Sequence, residues 1–365
     1  MDKKSPFFRQ TLTKFLLLYE IIISILPNCT TFFERWCFFW RGGYSDAMTT
    51  ALTQNADAPL ILTPEGWQDY RLLDSGDGRK LEQVGPYRFI RPEAQALWPP
   101  ALPASAWDDA DGEFVASASQ KNSGQGDDDA GKWRLSPKLP PEWIVSYDGL
   151  QFMAMPTPFR HLGFFPEQSA HWQWCAERCR DFTRQHGRAP KILNLFGYTG
   201  VASLHAAANG ADVTHVDSSK KAIAQAFENR NTADLSDAPI RFITEDARSF
   251  VKREARRERT YDGVILDPPK YGRGAKGEVW RMEDDIAPLL HEIATILSED
   301  AQFVVLTSYA IRSSFLSLHH VMDHQIRQHP SKPRGGIITS GELAAVESNP
   351  RGYRIGQAIF ARWQA

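Results

Sequence analysis

Asp267-Pro268-Pro269-Lys270-Tyr271 gathers in one short run the groups needed to hold a flat, nitrogen-bearing ring and manage its proton. Asp267 can orient an amine or accept its proton. Two consecutive prolines stiffen the loop and expose backbone carbonyls, which accept hydrogen bonds from an amine. Tyr271 can stack on a base, worth roughly 1–3 kcal/mol on aromatic platforms. Lys270 suits a phosphate or a ring acceptor better than it suits proton transfer. A D-P-P triplet also serves as a plain strand-ending turn, so its place among other elements decides its meaning.

Those elements repeat one pattern, a polar group just past an apolar run. Lys191 to Phe196 reads as a buried parallel strand, broken at Gly197-Tyr198-Thr199-Gly200. An Ala-rich helix, Val201 to Ala208, follows and stops at Gly210. A strand, a tight glycine turn and a helix N-terminus aim free backbone N–H groups at a ligand. A second run, Val213 to Val216, ends in Asp217. That carboxylate can accept both hydroxyls of a ribose, or cap the next helix as Ser218 and Ser219 also can. Ile240 to Thr244 ends at Glu245-Asp246, and Gly263 to Leu266 runs into Asp267. Strand–glycine–helix joints occur in any α/β protein. The order glycine turn, acid, acid, D-P-P points to a ligand at the carboxyl edge of an open sheet.

Asn-Leu-Phe-Gly-Tyr-Thr-Gly, Val-Asp-Ser-Ser with Asn229 downstream, Glu-Asp-Ala and Asp-Pro-Pro-Lys-Tyr resemble the successive motifs of class I S-adenosylmethionine-dependent methyltransferases. They look most like the branch with the large-subunit ribosomal RNA methyltransferases that make 5-methylcytosine and 7-methylguanine. The resemblance covers roughly the last 210 residues well and the part before them loosely. It implies an α/β fold, a Rossmann-like sheet with a closing antiparallel hairpin, and S-adenosylmethionine as cofactor. Gly197 and Gly200 would line its methionine end, Asp217 would hold the ribose and Asp246 the adenine amine. Phe196, Thr199, Ser218 and Ala247 complete the implied cofactor site. Asp267 to Lys270 would face both the sulfonium methyl and the substrate, with Tyr271 beside them. Before the first helix the branch carries a Gly-Phe-Phe-like segment and then Asp-Gln-Arg. Here Pro-Glu-Gln-Ser-Ala stands in that place, so only Gln168 carries over.

With 365 residues the chain has room for two domains, and a net charge of −2 gives no global basic signal. Contact with RNA must come from a local patch. Residues 241–281 offer one, with eleven Lys/Arg against seven Asp/Glu, and Tyr271 to Gly277 reads as a flexible basic loop. Lys252 to Arg259 reads equally as a solvated helix face. Cys29, Cys37, Cys175 and Cys179 are too few and scattered for a disulfide framework, which fits a reducing cytoplasm. His171, Cys175 and Cys179 share a helix face and suggest packing rather than a metal site, as do His320 and His324.

Residues 1–47 differ in composition from the rest. Phe15 to Leu26 is apolar but contains Glu20 and falls short of the about 20 residues a membrane span needs. No small-x-small cleavage site follows it, so the natural start is expected at Met48, with a membrane anchor the minority reading. Residues 48–160 read as a small β-rich domain with a mobile loop near 118–131, and 161–365 as the transferase domain. Leu60 onward supplies the short strands of the first. Its role, cover or substrate holder, stays open.

The methylated atom can be argued from chemistry. Carbon 5 of a pyrimidine is too weak a nucleophile alone, and enzymes that methylate it first add a cysteine thiolate to carbon 6. The 5-methylcytosine relatives carry that cysteine in a Ser-Cys-Ser-like segment after the fifth strand, where this chain has Thr307-Ser308-Tyr309. Attack by a ring or exocyclic nitrogen is therefore expected, oriented by Asp267 and the Pro268 carbonyl. Methylation of protein or a small molecule stays open. So does a dinucleotide-binding oxidoreductase, although the turn lacks the full G-x-G-x-x-G and D-P-P-K has no part in hydride transfer.

Overall fold

The computed structural model describes residues 58–116, 131–274, 277–309 and 313–365. The front of the chain folds as strands β1 (Leu60–Leu62), β2 (Tyr70–Gly76), β3 (Arg79–Val84) and β4 (Tyr87–Pro92), then a short helix α1 (Ala104–Asp108). Strands β5 (Gly112–Ala116), β6 (Gly131–Leu135), β7 (Trp143–Tyr147) and β8 (Leu150–Ala154) follow. Asp77-Gly78 and Asp148-Gly149 turn the hairpins β2–β3 and β7–β8 with positive φ at both residues, the geometry that matches the twist of paired strands. Strand β2 runs right up to its turn, from Tyr70 to Gly76. Strands β2 to β6 form one five-stranded sheet in chain order.

The rest alternates strand and helix. In order come α2 (Ser169–His186), β9 (Lys191–Leu195), α3 (Val201–Ala208), β10 (Asp212–Asp217), α4 (Lys220–Thr232), β11 (Ile240–Thr244), α5 (Ala247–Arg256) and β12 (Gly263–Leu266). Next are β13 (Tyr271–Arg273), β14 (Val279–Arg281), α6 (Met282–Ile296), β15 (Phe303–Ser308), α7 (Phe315–Met322), β16 (Ile337–Val346) and β17 (Arg354–Gln364). The large sheet has the order β1-β16-β17-β15-β12-β9-β10-β11. Its centre, β9, β10, β11, β12 and β15, is parallel, and β17 inserts antiparallel between β15 and β16. Leu193, Leu195, Val264 and Leu266 bury one face against α5, α6 and α7, while Ile192, Val213 and Val305 pack on the other side with Cys175 and Cys179 of α2. Helices on both faces explain why β12 and β15 are buried along their whole length and β9 nearly so.

Three sequence expectations change. Tyr271 to Arg273 is not a free loop but pairs with Val279 to Arg281 as a small antiparallel hairpin. The charge run on α5 is not merely solvated: Glu254 is buried, accepts from the Tyr261 hydroxyl at 2.9 Å, and has Arg241, Arg253, Arg257 and Arg259 within 4 Å. His320 and His324 do not lie on one regular α-helix, since α7 ends at Met322 and a π turn, Asp323–Arg327, carries His324. Residues 1–47 and the loop expected at 118–131 lie outside the described residues, save Gly131, which opens β6. Residues Ala56–Ala365 pack as one unit, and β1 joins the large sheet by pairing with β16. No helix among the described residues is long and apolar enough to cross a membrane.

The front sheet buries charge as well as apolar surface. Glu82 is fully buried and takes a two-point grip from Arg91, at 2.6 and 2.8 Å, plus the Tyr70 hydroxyl at 2.9 Å. Burial alone pushes its carboxyl up, but the Arg91 and Lys80 charges win and hold it at about 2, down from 4.5. A depressed carboxylate contributes stability above its unfolded pKa, and that contribution disappears as pH falls through the folded value. Glu82 is thus expected to add about 3 kcal/mol at neutral pH, lost between pH 4.5 and about 2. Urea unfolding across that window should show a steep loss for the native chain. Glu82→Gln should start about 3 kcal/mol lower and lack this component of the slope.

Candidate active site

The carboxyl ends of β9, β10 and β12 meet around one cavity of about 650 Å³. Of the residues singled out in the sequence, Gln168, Phe196, Gly197, Thr199, Asp217, Ser218, Asp267, Pro269, Lys270 and Tyr271 line it. A recess of about 50 Å³ continues past Asp217, Ser218 and Pro269 to Asp246, Ala247 and Arg273. Pro268 and Gly200 line neither.

The glycine turn is held in a conformation few sequences tolerate. Phe196, Tyr198 and Gly200 have φ of 55°, 50° and 87°, a region costly for residues other than glycine. Gly200 is needed for packing: a Cβ there would lie 2.9 Å from the Ala226 Cβ of α4. Gly197 is tighter still, since its Cβ would meet the buried His215 ring at 2.3 Å. That ring is fixed in turn, its Nδ1 2.9 Å from the Ser203 hydroxyl, which accepts from Asn194 Nδ2 at 2.9 Å. Burial pulls the His215 pKa down to about 4, so the imidazole is neutral.

Asp217 shapes the second wall. It accepts from the Tyr198 and Ser219 backbone N–H groups at 2.9 and 2.8 Å, while Ser219, not Asp217, caps α4. Burial outweighs those bonds and raises its pKa. Each oxygen keeps a lone pair, enough for a ribose diol. Asp246 caps α5 through Oδ2, to Ser249 N at 2.9 Å, beside the recess.

Asp267 opens the D-P-P loop directly after the last residue of β12, Leu266. Gln168 Nε2 donates to its Oδ2 at 2.9 Å, and Oδ1 is buried with no partner among the described residues. Burial first, then the nearby Glu167 charge, raises its pKa to about 7, against the pull of the Gln168 bond. The loop is braced: the Pro269 carbonyl accepts from Trp280 Nε1 at 2.7 Å, and Lys270 O from Met282 N at 3.0 Å. Tyr271 is about half exposed, and its hydroxyl accepts from Arg273 Nε at 2.9 Å.

The sequence reading missed an aromatic wall. Phe165 lies 4.8 Å from His161, 5.8 Å from Tyr198 and 5.9 Å from Tyr309, centroid to centroid, and all four line the cavity. The paired phenylalanines and the Tyr after Thr307-Ser308 were visible, but nothing local said they would meet. Cys175 also reaches the cavity, yet it is 2% exposed and burial drives its thiol far above the ordinary range. Burial raises Cys179 to about 12. Neither is poised as a thiolate. Among the described residues no group of three or more His, Cys, Asp or Glu is placed to hold a metal ion. A strand-end carboxylate with open lone pairs, an orphaned buried oxygen and an adjoining recess fit a cofactor with ribose, adenine and a cationic methionine end.

A family model described as Conserved hypothetical protein 95 matches residues 171–308. The crystal structure of a SAM-dependent methyltransferase from Agrobacterium tumefaciens is 46% identical, with TM-score 0.75 over 84% of this chain and 94% of that one. A chain from Streptococcus mutans assigned to the SAM-dependent methyltransferases is 16% identical, with TM-score 0.57 over 82% of this chain and 76% of that one, and shares the fold. Ribosomal RNA large subunit methyltransferase K/L of Shewanella sp. (strain ANA-3) is 34% identical over 166 residues, 45% of this chain. The K/L protein of Hahella chejuensis is 33% identical over 170 residues, 46% of this chain. The chain matches only 22% of the length of each of these two relatives.

The His215 contact generates a ligand-free test. Gly197→Ala should cost about 1–3 kcal/mol, because a buried ring on a strand cannot move aside cheaply. Thermal unfolding without any ligand measures it. An unchanged Tm would show that the turn has room for a methyl group and that the glycine is kept for a ligand.

Proposed function

This chain belongs to the S-adenosylmethionine-dependent methyltransferases, and from that premise we propose that it methylates a nitrogen of a nucleobase in ribosomal RNA. The observation that carries the nitrogen assignment is the bare Oδ1 of Asp267 in a cleft whose cysteine is held as a thiol. The K/L relatives support RNA as the substrate class. S-adenosylmethionine supplies an electrophilic methyl group on a sulfonium sulfur. Asp217 accepts the ribose hydroxyls on its remaining lone pairs, and Asp246 with Ala247 receives the adenine in the recess.

Tyr271 stacks the target base, and Asp267 Oδ1 accepts its N–H, turning the nitrogen lone pair towards the methyl carbon. As the new N–C bond forms, the old bond's electron pair stays on sulfur. A proton the nitrogen must shed passes to Asp267, whose pKa near 7 suits that exchange. Lys270 and Arg273 take the flanking phosphates. Most other cations of residues 241–281 face carboxylates, as with Arg248 on Asp285 and Lys252 on Glu292. The basic footprint is therefore these few groups at the cleft. We assign the transfer chemistry to residues 161–365, with the β-rich region before them bracing its wall.

Two measurements test this. Losing a hydrogen bond to a charged group costs roughly 1.5–3 kcal/mol, so Asp217→Ala should bind S-adenosylmethionine at least about tenfold more weakly by calorimetry. Unchanged affinity moves the ribose contact elsewhere. Nucleoside mass spectrometry of ribosomal RNA from cells with and without the gene should reveal one missing nitrogen-methylated base. A Cys175→Ala/Cys179→Ala double variant should restore it. Loss of 5-methylcytosine that this variant cannot restore would reverse the assignment.

A further inference from the structure

Resting on the nitrogen-methylation reading, we infer that Gln168 is a positioning residue for Asp267, anchored by Thr307, and not a ligand of the cofactor. The amide is held at both ends by protein. Its Nε2 donates to Asp267 Oδ2 at 2.9 Å, and its Oε1 accepts from the Thr307 hydroxyl at 3.3 Å. The Asp267 contact fixes the sense of the amide, because an ionised carboxylate only accepts, and the Thr307 hydroxyl, able to donate or accept, then donates to Oε1. Thr307 is 1% exposed on central strand β15, so the anchor belongs to the rigid sheet. Gln168 ends the short 3-10 turn Pro166–Gln168 that leads into α2. The tether thus crosses from that turn to the D-P-P loop.

A carboxylate turns easily about its last torsion, with a broad and shallow preference. Tying Oδ2 to the amide removes that freedom and leaves Oδ1, on a residue that lines the cavity, with no partner among the described residues. One oxygen is held and the other left open to a ligand, which is preorganisation by a supporting residue. The tether also biases protonation. Gln168 Nε2 is the one side-chain donor to Asp267 among the described residues, and it favours the ionised form against burial and Glu167. Burial raises the Glu167 pKa in turn, while Lys80 and Arg91 favour its ionised form and Glu82 disfavours it. Lys270 on the same loop and Asp217 across the cleft complete the charged groups lining the cavity with Asp267.

The test uses the full chain and begins without ligand. Aspartate-selective carbon-13 carboxyl NMR, with Asp267→Asn assigning the signal, gives the Asp267 midpoint directly. Gln168→Leu should raise it by about one pH unit, the loss of one hydrogen bond to a charged group. Thr307→Val should move it the same way by less. Gln168→Glu keeps the size but loses the donor and should raise it most, which keeps the test open if the leucine variant folds poorly. On large-subunit ribosomal RNA from cells lacking the gene, the acid limb of kcat should follow those midpoints. The calorimetric Kd for S-adenosylmethionine should stay within about twofold, well under 1 kcal/mol. An unmoved midpoint, or a Kd raised tenfold with the limb unmoved, overturns the positioning role while an inactive Asp267→Asn upholds the reading beneath it. An active Asp267→Asn removes that reading, and the positioning role falls with it even if the midpoints move.

Discussion

The cleft depends on one buried amide, Asn229 of α4. Its Nδ2 donates to the Thr199 carbonyl at 2.8 Å, and its Oδ1 accepts from Met153 N of β8 at 2.9 Å. Thr199 adds a bond of its own, from its hydroxyl to the Gly163 carbonyl at 2.7 Å. These contacts clamp a turn that holds two non-glycine residues at positive φ, each a cost of order 1–3 kcal/mol. Such backbone persists only when its surroundings over-determine it. What the strain secures is the direction of the Tyr198 N–H, which lands on Asp217 and fixes the second strand end against the first. The placement of Asp217 therefore follows from a side chain, Asn229, that does not itself line the cavity.

The front strands act on the cleft in the same indirect way. The Glu82–Arg91 pair does more than stabilise the front sheet. Glu82 and Arg91 also set geometry. Arg91 spends Nε and Nη2 on Glu82 and donates Nη1 to the Arg160 carbonyl at 3.1 Å. That bond ties the β-rich sheet to the segment whose next residues, His161, Phe164 and Phe165, line the cavity. A second charged cluster repeats the logic at the other edge. Arg351 donates to Asp74 and the Ser75 carbonyl at 3.1 and 2.7 Å, joining β2 to the turn of the closing hairpin.

What could be read from the sequence was what local pattern encodes. Ile240–Thr244 and Gly263–Leu266 fall where their apolar runs do, and the acids past them reach the cleft for that reason. What escaped is tertiary. Gln168 meets Asp267 across 99 positions, and Asn229 meets Met153 across 76, so no spacing rule links either pair. Charge counting erred for a related reason. The run on α5 looks like a surface footprint until buried Glu254 draws four arginines around itself. Gly200 illustrates the converse. Its glycine was legible, but its cause is the α4 contact and not the cavity.

The cleft's electrostatics bear on both halves of a catalytic cycle. Besides Asp217, Asp267 and Lys270 its wall is largely aromatic and apolar, so each charge is poorly screened. Burial raises both carboxylates, which means the ligand-free protein pays to keep them ionised. A cation placed between them relieves that cost, and a neutral molecule of the same shape does not. S-adenosylmethionine carries a positive sulfonium, whereas the thioether left after transfer carries none. With the cofactor bound as proposed, Asp217 and Asp267 would favour the methyl donor over its product by charge alone, while shape contacts would treat the two alike. Asp267 would contribute only when ionised, so a tether that sets its protonation would also set how far the cleft discriminates.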